Sequence, residues 1–320
     1  MTSASTARLQ YFPAAFFAMI MGLLGLVLAL QKASHVVPTL APAAPVVLAL
    51  AALLFVVIAF FYGLKAVRYP HAVREDFAHP VRLHFVPTFS ISLVLFAIAL
   101  SQTAPDVAHP LLLVGAALHL LLTLVVLNEW INKEHFQVPH LNPAWFIPIV
   151  GNLLVPIAGM NFGYVNLSWF YFSIGIVFWI VLFTIIINRV LFHAPLPARL
   201  APTLFIMIAP PAVGFLAYLK LQGTLDSFGR VLFGFAAFLT LFLATQAARL
   251  ARMRFFLSWW AYSFPLAAMT VASFAMSEIS AQQGFAWGGL GLLAVLAVLV
   301  AGLLVRTALA VIRREICQPE

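Results

Sequence analysis

The chain holds one cysteine in 320 residues, Cys317, and only 8% charged residues, 17 cations against nine acids. A single thiol excludes a disulfide framework and any paired-cysteine metal or redox motif. The shortage of charge excludes more. A soluble domain is ~25% charged and ~45–50% apolar, whereas this chain is 64% hydrophobic with a mean hydropathy of +1.07. The sequence therefore reads as an integral membrane protein. At ~20 apolar residues per crossing, about ten crossings consume the chain, leaving no length for a soluble catalytic or nucleotide-binding domain. The reading is of a protein that is not an enzyme. In such a chain the net charge of +8 points to membrane topology rather than to a nucleic acid partner.

Ionisable groups are also missing from the interior of the apolar runs. The acids Glu75, Asp76, Asp106, Glu129, Glu134, Asp226, Glu278, Glu315 and Glu320 all fall in loops or at the ends of runs, and no Lys or Arg lies in the middle of one. Proton and sodium coupling usually need intramembrane ionisable groups, so passive conduction is favoured. A permeating anion would be held by weak polar groups and helix dipoles. Of nine histidines only His119 is well inside a run; packing or hydrogen bonding is its expected role, with a proton relay or haem ligand as the rival. The pairs His79/His84 and His135/His140 are spaced by five rather than the four that puts two ligands on one helical face, so no metal site and no cofactor are expected.

What is present are ten runs free of charge: 12–31, 43–64, 83–101, 108–127, 144–160, 168–187, 201–219, 231–248, 255–277 and 286–305. They predict an all-α membrane fold of ten helices. The first run exceeds the ~7–15 residues of a signal sequence's apolar region and lacks a small-x-small cleavage site, so it reads as a retained helix. The fifth carries Pro148, Gly151, Pro156 and Gly159 and is the least regular; carbonyls freed by such breaks need partners from neighbours or a wet cavity. Counting Lys and Arg on alternate sides gives fourteen against three, the three being Lys32, Lys220 and Arg230. The positive-inside rule then puts both termini in the cytoplasm.

Prolines supply an internal repeat. Phe12-Pro13, Phe85-Val86-Pro87, Phe146-Ile147-Pro148, Ile208-Ala209-Pro210-Pro211 and Phe264-Pro265 all fall in odd-numbered runs. Pro13, Pro87 and Pro148 lie in a first turn, where proline costs little, whereas Pro210, Pro211 and Pro265 lie deep enough to predict kinks. Ala15, Ala18, Gly22, Gly25 and Ala29 share one face of the first helix, a face that either packs tightly or lines a hole. The seventh and ninth helices repeat the small residues with Ala209, Ala212, Ala217, Ala261, Ala267 and Ala268, while the sixth and eighth are bulky, with Phe170, Phe172, Phe178, Phe233, Phe238 and Phe242. Small inner helices within a bulkier outer ring fit five helical hairpins around an axis.

In the ninth run, Phe264 lies nine residues from Phe255, or ~14 Å along a helix and near the middle of a ~30 Å core. Its helical neighbours are Ala261, Ala267 and Ala268, so one large ring projects from a small face. The segment Trp259-Trp260-Ala261-Tyr262-Ser263-Phe264-Pro265 resembles the tellurite-resistance/dicarboxylate transporter family, the group of the slow anion channels and tellurite-resistance protein A. Phe12-Pro13 with Met21-Gly22-Leu23, Pro148-x-x-Gly151-Asn152 and Ala209-Pro210-Pro211-Ala212 support the likeness across the chain. The resemblance implies a homotrimer of ten-helix protomers in the cell (inner) membrane, each with its own pore formed by five inner helices and occluded by a phenylalanine. By motif that gate is Phe264. Pore-lining candidates are Phe12, Ala15, Ala18, Gly22, Phe89, Gly151, Asn152, Pro210, Pro211, Ala261, Ser263, Pro265, Ala267 and Ala268. Residues 1–320 are expected to form a single channel domain with short cytoplasmic tails, 1–11 and 306–320, too short for the kinase gating of plant relatives. The function expected is passive conduction of small anions such as nitrate or chloride, with proton-coupled transport of C4-dicarboxylates, sulfite or tellurite-related oxyanions as the alternative.

Overall fold

Apolar runs of this length satisfy their backbone in hydrocarbon by coiling, and they do so here. A computed structural model describes residues 8–134 and 136–318, and among these the chain is helical with no strand. Nine segments are long and apolar enough to cross a membrane: Ala14–Ala33, Pro38–Arg68, Arg82–Leu100, Pro105–Asn132, Pro143–Phe162, Val165–Phe192, Ala201–Gln222, Ser227–Ala244 and Gln283–Ile312. The expected ninth helix forms as well, as Leu257–Tyr262 followed by Ser263–Ser280, but Pro265, five serines, Thr270 and Glu278 make it too polar to join the nine. Counting it in chain order, we refer to first to tenth segments.

Four even-numbered segments overrun their expected ends, the second reaching Arg68 and the sixth Phe192, while the eighth stops at Ala244, short of the expected 248. Charge is what ended the runs in the sequence, yet Lys65 and Arg189 find partners and the helix continues through them. Arg189 donates to the carbonyls of Val138 and Ala194.

Burial separates two layers. The most apolar windows of the first, third, fifth and seventh segments are 61–89% buried, those of the even-numbered segments 17–39%. The first, third, fifth, seventh and ninth segments touch in that cyclic order, with the ninth closing on the first, and each is also packed against the even-numbered segment that follows it. The bulky residues divide accordingly: Phe170, Phe178, Phe238 and Phe242 are exposed on the outer layer, whereas Phe172 and Phe233 are buried. Arg8 donates to the carbonyl of Ile316, 3.2 Å away, which puts both described ends of the chain on one face.

Every inner segment starts as a 3-10 helix; in the third, fifth, seventh and ninth the α-helical part begins at or near a proline, whereas in the first Pro13 precedes the 3-10 turn. The 3-10 turns are Ala14–Phe16, Arg82–Phe85, Pro143–Phe146, Ala201–Ile208 and Leu257–Tyr262. Pro210, Pro211 and Pro265, expected to kink their helices from within, stand instead in the first turn of the α-helical parts that begin at Ala209 and Ser263. There the missing N–H costs little.

Candidate functional site

At the face that carries the chain ends, the 3-10 turns of the first, third and ninth segments border a cavity of about 740 Å³. It is bordered by Tyr11 and Pro13 just before the first segment and Ala15 within it, His71, Glu75 and His79 from the second-to-third connection, Arg82 at the start of the third, Arg199 and Leu200, Phe255 to Ser258, and Glu315 to Gln318. Burial raises the Cys317 thiol above its ordinary range, which keeps it protonated.

One wall of this vestibule is held by a buried ion cluster. Lys65 and Asp76 are 1% and 2% exposed and paired with each other. Arg82 donates to the other oxygen of Asp76, Oδ1, at 3.1 Å, Tyr62 donates to the same Oδ2 as Lys65 at 3.4 Å, and Lys65 also donates to the carbonyl of Phe12 at 3.0 Å. Asp76 lies on the short helix Pro70–Ala78, so the cluster ties the second-to-third connection to the first segment. His79 braces the following turn, its Nδ1 accepting from the backbone N–H of Val81 and Arg82.

Beyond Ala15, Phe85, Leu257 and Ser258, which border both spaces, the vestibule narrows to a chamber of about 40 Å³. All five inner segments contribute to it: Ala15, Ala18 and Met21; Phe85 and Thr88; Ile147; Ile206; and Trp260, Ala261, Phe264 and Pro265. Deeper still the first and ninth segments close on each other. A Cβ on Gly22 would stand 2.2 Å from Ser263 Oγ, and one on Gly25 would stand 2.6 Å from Ala267 Cβ and 3.6 Å from the Phe264 ring. The small face of the first helix therefore does both things that small residues do: Ala15 and Ala18 border the chamber, while Gly22 and Gly25 permit close packing. Phe264, 8% exposed, lies where the one gives way to the other. Trp260 is anchored by its indole N–H to Thr307 of the tenth segment at 2.9 Å.

Of the pore-lining candidates, Ala15, Ala18, Ala261 and Pro265 border the chamber together with Phe264; the other ten do not. Phe12 stacks on Phe16 and meets Phe61, and Phe89 packs among Phe17 and Phe55, both toward the second segment. Ser263 donates to the carbonyl of Trp260 behind Gly22, and Ala267 meets Gly25. Ala268, Pro210 and Pro211 are buried. Gly151 packs against the ring of His119, where a Cβ would clash at 2.3 Å. Asn152 donates to Thr123 Oγ1 and to the carbonyls of Pro148 and Ile149, and Thr123 donates to the same Pro148 carbonyl. The break in the fifth segment is thus satisfied by side chains.

Among the described residues no histidine borders the chamber, although His71 and His79 border the vestibule. His119 is fully buried, with Nδ1 2.9 Å from Ser90 Oγ and its opposite edge on Gly151. This is a packing position between the third and fifth segments, with no room for a haem. His84 stacks on Trp145 and accepts from Trp130 Nε1; His140 Nδ1 accepts from Gln137 N; His135 lies outside the described residues. No metal-binding cluster of His, Cys, Asp and Glu occurs among the described residues.

Met21, Phe85, Thr88, Ile147, Ile206 and Trp260 were not marked by the sequence as pore residues. A signal existed for some: Met21 follows Ala15 and Ala18 at steps of three, and Phe85 and Ile147 belong to the Phe/Pro repeat.

The family model described as voltage-dependent anion channel matches residues 11–308. The S-type anion channel SLAH3 of Arabidopsis thaliana is 29% identical over 222 residues, 69% of this chain and 35% of the plant protein. The S-type anion channel SLAH2 of the same plant is 28% identical over 228 residues, 71% of this chain and 44% of that protein. The tellurite resistance protein TehA homolog of Haemophilus influenzae is 24% identical over 274 residues, 85% of this chain and 83% of the other. The chain thus spans less than half the length of these plant relatives.

Proposed function

We propose that this chain, which belongs to the voltage-dependent anion channel family, conducts small anions passively through a pore occluded by Phe264. The observation that carries the reading is the vestibule that narrows to a chamber bordered by all five inner segments and by the Phe264 ring. Ten crossings arranged as five hairpins account for the cyclic contacts of the odd segments, and an even number of crossings is what brings Arg8 to Ile316. A homotrimer in the cell membrane, lipid against the outer layer and both termini in the cytoplasm complete the proposal.

The five inner segments all begin on the face of the molecule that carries the vestibule, and a helix start carries roughly half a positive charge. Together with Arg82 and Arg199 they favour anions without any fixed cation at mid-membrane. Nothing there compensates the desolvation of a strongly hydrated ion. Nitrate is therefore expected to permeate better than chloride, and sulfate poorly, in bilayers containing the purified protein under mixed-anion gradients. A sulfate permeability above that of nitrate overturns this account, and a reversal potential that follows pH rather than the anion gradient supports coupled transport instead.

Orientation follows from fourteen cations on the vestibule side against three on the other. Reporter fusions at residue 1 and after Glu320 are both expected to report the cytoplasm; an external signal at either end counts against an even number of crossings or against the proposed orientation.

A further inference from the structure

The same parallel arrangement that makes the vestibule attractive to anions makes the opposite mouth repel them. All five inner segments end there, and each helix end carries roughly half a negative charge on its free carbonyls. Polar side chains join these ends in ring order. Gln31 donates to the carbonyl of Ala99 at 2.9 Å, linking the first segment to the third. Asn161 donates to Ser101 Oγ at 3.2 Å, and Lys220 donates to Asn161 Oδ1 at 3.3 Å, linking the third, fifth and seventh. Lys32 donates to Glu278 at 2.6 Å, linking the first to the ninth.

Two lysines stand in this collar, and their circumstances differ. Glu278 neutralises Lys32 and also faces His35 at 3.5 Å. Lys220 is bound to a neutral amide, and among the described residues no carboxylate forms an ion pair with it. Asp226, the nearest acid in sequence, caps the eighth segment: the Gly229 N–H and the Tyr218 hydroxyl hold its carboxyl below the usual carboxylate range.

We infer that Lys220 is the anion-collecting charge of the outer mouth, held by Asn161 and Ser101 where it offsets the five helix ends, and that Glu278 limits this attraction by neutralising Lys32. The ligand is a small monovalent anion in transit. The inference rests on the conduction reading above and names a residue that sets the rate of access from the face opposite the vestibule.

The test is anion current through the full-length chain carrying Phe264→Ala, measured in both directions across a bilayer at ~20 mM and ~1 M salt, where charge at a mouth is respectively felt and screened. Lys220→Glu is expected to lower current carried by anions arriving from the collar side by about threefold or more at low salt, to leave the opposite direction much less affected, and to lose its effect at high salt. Lys220→Arg keeps the parental current, and Glu278→Gln raises collar-side current at low salt. Equal currents from Lys220→Glu and its parent at low salt overturn the inference while leaving the conduction reading intact. A parent that passes no anion current in either direction overturns the conduction reading and this inference with it.

Discussion

Phe264→Ala is expected to raise anion conductance by at least about tenfold over the unaltered protein, since each ~1.4 kcal/mol removed from a barrier is worth a factor of ten. The ring borders a chamber of about 40 Å³, a space that holds little water, and an apolar constriction of that size excludes ions by dewetting as well as by bulk. Phe264→Leu keeps part of the plug and falls between. The stability cost is the second half of the result. A fully packed phenylalanine cut to alanine loses ~3–5 kcal/mol, and Phe274 is such a residue: it is 1% exposed, with its ring against Gly289 of the tenth segment. Phe264 has chamber on one side and forfeits fewer contacts. Thermal unfolding in detergent should therefore rank Phe274→Ala below Phe264→Ala, while current per folded protein rises only for the latter. Equal currents from wild type and Phe264→Ala, in protein shown to be folded, remove Phe264 as the gate.

Asp76→Asn is expected to be among the most destabilising single changes in the chain, by about 3–5 kcal/mol. It leaves the Lys65 ammonium, 1% exposed, with a backbone carbonyl but no counter-charge, and frees Arg82 from its anchor. A buried pair is costly to halve and inexpensive to replace whole. The double change Lys65→Met with Asp76→Asn should therefore recover most of the loss, because Arg82 is 37% exposed and can be hydrated. Thermal stability of the two proteins checks this, and a double variant no better than Asp76→Asn alone excludes the pair as the cause.

That cluster marks a limit of what the sequence disclosed. Lys65 and Asp76 read as ordinary loop charges because a ratio of apolar to charged residues says nothing about which charges meet. Apolar runs located the helices well, and the Phe/Pro repeat and the small residues separated inner from outer segments. The phase of each inner helix was not legible. Phe85 and Thr88, three apart, face the chamber because the third segment begins as a 3-10 turn, whereas Phe89 turns toward Phe17 and Phe55; a period of 3.6 counted from the proline does not reveal that offset. Small residues were ambiguous for a different reason. Gly22 and Ala18 are alike in composition and differ only in whether the ninth segment lies opposite. The tether from Trp260 to Thr307 spans 47 positions and leaves no local pattern.

The close approach of the first and ninth segments has a mechanical consequence. Neighbouring inner helices are otherwise joined through an outer helix and its two loops, so four of the five joints of the ring are strapped by the chain itself. Between ninth and first no outer helix and loops form such a strap within residues 8–318: the joint is held by side-chain contacts, among them Gly22 with Ser263, Gly25 with Ala267 and the Lys32–Glu278 ion pair. The ring is closed there by a clasp, and separating its two halves stretches no loop. Phe264 hangs beside that clasp, at the joint of lowest covalent stiffness.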